Sequence, residues 1–231
     1  MKPTDPEAPA LLEARGLAYL RNDEPIFGPL DFALRGGEVV LMEGDNGSGK
    51  TTLLRVLSGL LEPSLGEIHL QGQPLTVARL SQQVALLSHQ LGIKNELSPL
   101  QNCRFAIGLC GLRPGITPHH ALLSVGLAGY EDVAVRQLSA GQKKRVALAR
   151  LLLVPAALWL LDEPYANLDR GGIELVNRLL ELHARRGGAA LITSHGAYAY
   201  TSGAPRRIEL RPASKINPRA LAASGSSEAI A

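Results

Sequence analysis

Eight consecutive residues, Gly44-Asp45-Asn46-Gly47-Ser48-Gly49-Lys50-Thr51, constrain this chain more than any others, because they fit the pattern G-x-x-x-x-G-K-[ST]. An apolar run at 39–42 precedes them and a helix-like stretch at 52–61 comes after, which is the context in which that pattern has a mechanism. Strand, loop and helix together make a phosphate-binding loop. Its glycines let successive backbone N–H groups turn inward, and the helix presents the positive end of its dipole to the same anion. On this reading Lys50 reaches the β- and γ-phosphates of a nucleotide, the Thr51 hydroxyl ligates Mg²⁺, and Thr52 continues the cradle into the helix. A glycine turn that matched by chance would lack the flanking strand and helix.

The surrounding pattern is that of an α/β fold. Residues 39–42, 158–161 and 189–193 are short, continuous apolar runs, the mark of strands buried on both faces. Residues 84–87 read as another strand, 67–70 as a strand with Ile68 and Leu70 inward and His69 outward, and 208–210 as a last short one. Between 11 and 34, apolar pieces alternate with turn residues (Asn22-Asp23, Pro25, Gly28-Pro29), so edge hairpin strands are expected there. The helix after the phosphate loop carries Leu53, Leu54, Leu57, Leu60 and Leu61 at helical spacing, with Pro63 and Gly66 closing it; a second amphipathic helix is expected at 174–184. From about 91 the chain turns to helical pieces broken by Pro99, Pro114-Gly115, Pro118 and Gly126, with no strong strand signal until Trp159. This reads as a helical insertion at about 91–157 in one domain spanning 11–211, with a mobile leader at 1–10 and a disordered tail at 212–231.

Composition excludes several classes. With 24 Lys+Arg against 21 Asp+Glu the net charge is only +3, and 4% aromatics leave little for base stacking, so no nucleic-acid surface is expected. Cys103 and Cys110 form no C-x-x-C pair, which fits a reducing compartment and two small core residues. His89 and His119-His120 have no ligand spacing around them. The amino terminus is proline-rich and acidic, without the apolar core of a secretory signal. The longest apolar run, 151–161, contains Pro155 and falls well short of the roughly 20 residues that span a bilayer. Membrane contact is therefore expected only through a partner.

A phosphate loop is shared by kinases, GTPases, motors and transport ATPases, so its companions decide between them. Leu158-Trp159-Leu160-Leu161-Asp162-Glu163-Pro164 is an apolar strand ending in two carboxylates. Asp162 at the tip suits Mg²⁺ held through water, and Glu163 can polarise the water that attacks a γ-phosphate. A lone Asp-Glu pair is commonly a solvated turn; here it comes after a phosphate loop in the same chain. Ser139 with Gln142 three residues later is a capping-box pattern, so a helix opens there and runs through Lys143-Lys144-Arg145, and its first N–H groups form an anion site. Those three cations oppose the helix dipole and favour a bound polyanion.

With Leu138-Ser139-Ala140-Gly141-Gln142 the chain resembles the ATP-binding domain of ABC transporters, whose signature is Leu-Ser-Gly-Gly-Gln; only Ala140 departs from it. The resemblance implies a P-loop fold of the ABC ATPase type: a mostly parallel core sheet, an N-terminal antiparallel β subdomain and a helical subdomain. It implies a head-to-tail dimer with a second ATP-binding subunit, in which residues 138–142 of one protomer cover the ATP held by the other. It matches Gln90 to the glutamine loop that also meets Mg²⁺, Asn167-Leu168-Asp169 to the D-loop, His195 to the switch histidine and Tyr19 to the aromatic that stacks on adenine.

Three longer stretches, 89–97, 125–129 and 136–150, together with Leu158-Trp159, are similar to the ATP-binding subunit of bacterial haem exporters serving cytochrome c maturation. That likeness covers roughly 11–210. It implies a peripheral subunit on the cytoplasmic face of the inner membrane, docked on integral permease subunits through residues around Gln90 to Arg104, with ATP hydrolysis driving release of a haem-loaded chaperone. Other readings are an ATP-binding subunit of another transporter, a soluble ABC ATPase of translation or DNA repair, a nucleotide switch, and a binding protein with a dead ATPase site. The soluble ATPases need two cassettes or a long coiled-coil insertion, and the switch needs an Asn-Lys-x-Asp element that the chain lacks. Lys50, Asp162, Glu163 and His195, all present, speak against a dead site.

Overall fold

The computed structural model describes residues 9–76, 80, 83–194 and 205–211. The chain begins as an antiparallel hairpin, β1 (Ala10–Arg21) and β2 (Glu24–Arg35), joined by Asn22-Asp23. Both turn residues have positive φ (51° and 63°), the left-handed pair that matches the twist of a two-residue hairpin. Gly28-Pro29, a turn signal in the sequence, lies inside β2 at an irregularity in its register with β1. A Cβ on Gly28 would stand 2.3 Å from the Leu17 carbonyl oxygen, so the strand tolerates the bulge only because glycine is there. β1 is not an edge: with β4 (Leu65–Leu70) and β5 (Gln73–Pro74) the sheet order is β2-β1-β4-β5. Ala10 already pairs with Arg35, so the first strand begins within the expected leader; residues 1–8 and the expected tail at 212–231 lie outside the described residues.

The second sheet is parallel, in the order β6-β7-β8-β3-β9, from β3 (Val39–Glu43), β6 (Val84–Leu87), β7 (Leu158–Asp162), β8 (Ala189–Thr193) and β9 (Arg206–Glu209). The apolar runs of β3, β7 and β8 are continuous because both faces are covered. Val40, Met42, Leu158, Leu160, Ala189 and Leu191 face the antiparallel sheet and α1 (Lys50–Leu57). Val39, Leu41, Trp159, Leu161, Ala190 and Ile192 face the helical layer. That layer comprises α2 (Pro99–Cys110), α3 (Pro118–Ser124), α4 (Ala140–Leu153) and α5 (Arg170–Arg185). Among the described residues no helix is long and apolar enough to cross a membrane.

Helix boundaries differ from the sequence expectations for local reasons. Pro99 and Pro118 do not break helices; they start them, behind the caps Ser98 and Thr117. α1 ends at Leu57, before Pro63 is reached, and Leu60 is 66% exposed, outside the core. α5 begins four residues before the expected 174, because the Asp169 carboxylate accepts the Gly172 N–H at 2.8 Å, a cap worth about 1 kcal/mol. His69, expected outward, is half-buried beside Glu67. Cys103 and Cys110 share α2 as free thiols, and burial pushes Cys103 up to about 11.

The helical layer is pinned to the sheet by a buried histidine. The His183 ring on α5 stacks on Trp159 of β7 at 4.0 Å between centroids and 7° between planes. Its Nε2 lies 3.1 Å and 3.2 Å from the carbonyl oxygens of Ala157 and Ala189, so that nitrogen carries the proton and donates to both. Burial drives the pKa of His183 down from 6.5 to about 4, with the Arg113 charge acting the same way. The folded state thus takes up the proton less readily than the unfolded chain. The stability it contributes is full above pH 6.5 and falls as the pH drops from 6.5 towards 4, by roughly 3 kcal/mol over the window. Urea denaturation of the purified protein is expected to show that fall. His183→Phe is expected to lower the midpoint at pH 7, where two carbonyls lose a donor, and to remove this part of the slope.

Candidate nucleotide site

The strand order sets the site. β8 lies between β3 and β7, and the register aligns Met42 with Thr193 and Thr193 with Asp162, so three strands end at one level. Ligands of parallel α/β sheets bind beyond such carboxyl ends. From the tip of β3 the chain enters the loop 44–49, with Gly47 and Gly49 at φ 81° and 95°, and α1 begins at Lys50. The loop is shaped from below. Leu210, just after β9, donates its N–H to the Glu43 carbonyl at 2.7 Å, and a Cβ on Gly44 would stand 2.4 Å from the Leu210 carbonyl oxygen. No residue but glycine fits at 44.

Lys50 is buried, and its Nζ donates to the loop's own carbonyls, Gly44 at 2.7 Å and Asp45 at 2.9 Å. Burial lowers the pKa of this ammonium, and the charges of Glu163, Asp162 and Asp45 act against that. Its hydrogen bonds go to neutral carbonyls and can be exchanged for phosphate oxygens. Ser48 Oγ is buried without a hydrogen-bond partner, an orphaned donor in the wall of the loop such as an anion would satisfy. Asn46, Gly47 and Thr51 are exposed, and Thr52 is half-buried.

Asp162 is the centre of a hydroxyl network. Its Oδ2 accepts from Thr51 Oγ1 at 2.9 Å and its Oδ1 from Thr193 Oγ1 at 2.7 Å, while Thr193 Oγ1 accepts the Glu163 N–H at 3.0 Å. Asp162 is 5% exposed and Thr193 is fully buried, so the bond between them forms away from water, while Thr51 meets Asp162 from the exposed side. Hydroxyl and carboxylate oxygens are hard donors, which suits Mg²⁺ with its retained waters. Among the described residues no group of three His, Cys, Asp or Glu side chains forms a metal cluster.

Glu163 is a non-glycine residue in the left-handed region, φ 47°, a conformation costing roughly 1 kcal/mol. Its peptide groups are held on both sides. The N–H goes to Thr193, and the carbonyl accepts from Lys144 Nζ at 3.2 Å and from the Ala166 N–H at 3.2 Å. Lys144 comes from α4, whose start is the capping box expected at Ser139: Ser139 Oγ accepts the Gln142 N–H at 3.2 Å and Gln142 Oε1 accepts the Ser139 N–H at 2.9 Å.

The cations of that first turn are not gathered at the helix end. Lys144 is buried against Glu163, and the Arg145 guanidinium donates to the Val125 carbonyl at 2.6 Å and stands 4.0 Å from Asp169. Leu138 is buried, Ser139 and Ala140 are exposed, and Gly141 and Gln142 are half-exposed.

The structure thus brings Gly44 to Thr51 together with Asp162 and Glu163. Gln90 stands in the bend after β6 with its side chain exposed and its carbonyl accepting Ser88 Oγ at 2.6 Å. Tyr19 is half-buried and stacks on Phe27 at 6.4 Å, and Phe27 Cβ lies against Gly49, so Tyr19 is one side chain removed from the loop. His195 lies outside the described residues. Sequence reasoning misses the roles of Thr193 and Lys144. A threonine ending a buried apolar run is a signal for the first; an additional lysine in the first turn of a helix gives none for the second.

Comparison with known proteins agrees with this geometry. The ABC transporter family matches residues 27–166. The cytochrome c biogenesis ATP-binding export protein CcmA of Xanthomonas campestris pv. campestris is 58% identical over 206 residues, 89% of this chain and 96% of that one. CcmA of Xylella fastidiosa (strain Temecula1) is 49% identical over 207 residues, again 89% and 96% of the two chains. Among solved structures, the ATP-binding cassette MJ0796, a dimer in a post-hydrolysis state bound to ADP and Pi, superposes with a TM-score of 0.75 at 23% identity, covering 87% of this chain and 96% of that one. The last likeness concerns the fold alone. The chain belongs to the ABC transporter family, within the group of cytochrome c biogenesis ATP-binding export proteins.

Proposed function

We propose that this chain is the ATP-hydrolysing subunit of the haem exporter complex for cytochrome c biogenesis. The observation that carries the ATPase reading is the joining of the phosphate loop to the carboxylate strand, Thr51 to Asp162 at 2.9 Å, in a chain 58% identical to a cytochrome c biogenesis ATP-binding export protein. ATP binds along Gly44 to Thr52, with Lys50 turning from the loop carbonyls to the β- and γ-phosphates. Thr51, Gln90 and, through water, Asp162 would hold Mg²⁺, which supplies charge neutralisation across those phosphates. Glu163 polarises the attacking water and His195 completes the γ-phosphate contacts. Thr193 orients Asp162 and the Glu163 peptide together.

The domain runs over 11–211, with the helical part at about 91–157. It works as a head-to-tail dimer in which residues 138–142 of each protomer close on the ATP of the other. The dimer sits on the cytoplasmic face of the inner membrane, bound to integral permease subunits. The permease-facing surface lies around Gln90 to Arg104 and continues onto the exposed apolar side chains Phe105 and Leu109 of α2, 42% and 66% exposed. Closure on ATP and reopening after hydrolysis power release of the haem-loaded chaperone. Purification from detergent-solubilised membranes with mass spectrometry of the associated proteins tests the assignment. Cytochrome c maturation permeases are expected; a different permease would leave the ATPase and remove the haem substrate.

Two substitutions test the chemistry. Glu163→Gln is expected to retain ATP, stabilise the dimer in size-exclusion chromatography and slow hydrolysis by about a hundredfold or more. Thr193→Val, nearly equal in shape, removes the hydroxyl that accepts the Glu163 N–H and donates to Asp162. It is expected to lower kcat about tenfold with a much smaller change in ATP affinity, read by steady-state phosphate release and equilibrium nucleotide binding.

A further inference from the structure

α4 makes contacts along its length that the reaction does not require of a simple cap. Its N-terminal turn closes on the partner's nucleotide in the proposed dimer, a reading on which the role inferred for this helix rests. Five residues after the Ser139 cap, about 7.5 Å along the axis, Lys144 leaves the helix for the interior, 8% exposed, and its Nζ donates to the Glu163 carbonyl at 3.2 Å. Six residues beyond that, Arg150 Nη1 donates to the carbonyls of Leu91 at 3.2 Å and Gly92 at 2.7 Å, directly after Gln90. One rigid helix thus touches the partner's ATP site, the main chain of its own Glu163 and its own glutamine-loop segment.

Burying an ammonium is costly, and an aliphatic side chain would fill the same space without that cost. The acceptor that Lys144 reaches is the carbonyl of a residue already held in a left-handed conformation, φ 47°. A shift of the helix is therefore delivered to a strained peptide unit, the one that sets the direction of the Glu163 side chain. We infer that Lys144 is a positioning residue that couples the two nucleotide sites of the dimer: through the Glu163 carbonyl it makes hydrolysis at a chain's own phosphate loop depend on engagement of that chain's signature turn by the nucleotide on its partner. Lys144 touches no substrate; it acts through Glu163.

The test uses the full chain with its co-purified membrane partners and compares wild type, Lys144→Met and Lys144→Arg for kcat, KM and the Hill coefficient for ATP. Lys144→Met is expected to lower kcat about tenfold or more while KM stays within about twofold, and to bring the Hill coefficient down to about 1. Lys144→Arg, which keeps a donor of similar reach, is expected to recover most of both. Should the Met variant melt early, Lys144→Gln takes its place. An unchanged kcat and Hill coefficient in a complex whose Glu163→Gln variant is inactive overturns the coupling role and leaves the ATPase reading standing. So does a KM that rises in step with the loss of turnover. A wild-type complex with no cooperativity and full activity in Glu163→Gln overturns the sandwich reading and the inference with it.

Discussion

The carboxylate of Asp162, held between the hydroxyls of Thr51 and Thr193, is the contact on which the rest of the site depends. It is an ionisable group buried at the tip of a fully apolar strand, and such a group is tolerable only when its oxygens are satisfied. Two threonines from two other segments satisfy them, and each thereby fixes its own segment. Thr51 sets the start of α1 against β7. Thr193 aligns β8 with β7 and, by accepting the Glu163 N–H, determines how the chain leaves the sheet. A network of this kind specifies relative positions more strongly than its net energy would indicate, because removing one member strands the others.

Around that centre the layers divide the work. The antiparallel sheet and α1 lie on one face of the parallel sheet, with the phosphate loop joining β3 to α1, while the helical layer on the other face carries residues 138–142. Each strand residue contributes to one face only, in alternation, so the two cores meet only through the sheet. The Trp159 and His183 stack fastens the helical layer at the start of β7, at the opposite end of the strand from Asp162. Lys144 and Arg150 fasten it near the strand tips.

Legible in the sequence is whatever depends on neighbours along the chain. The loop 44–51, the carboxylates at 162 and 163 and the capping box at 139 are local patterns with local mechanisms, and β6 and β8 fall where their apolar runs stand. Thr193 gains its meaning only because β8 is inserted between β3 and β7, a pairing that no local pattern encodes. By sequence Lys144 is one of three cations offered to an anion; its direction on the helix surface turns it inward instead. Pro99 and Pro118 illustrate the ambiguity of proline, which ends one element and begins the next with equal ease. The Gly28-Pro29 pair reads as a turn because a bulge and a turn use the same residues.

The contact between Leu210 and the start of the phosphate loop has a consequence for the order of folding. Glu43 and Gly44 belong to the first quarter of the chain, and the segment that sets their shape arrives near residue 210. During synthesis the loop sequence emerges early, but its floor is made among the last described residues, and contacts so distant along the chain form late. In order of synthesis the floor of the loop follows the whole helical layer, so the loop sequence that opens at Gly44 waits until Leu210 before the residue that shapes it is made.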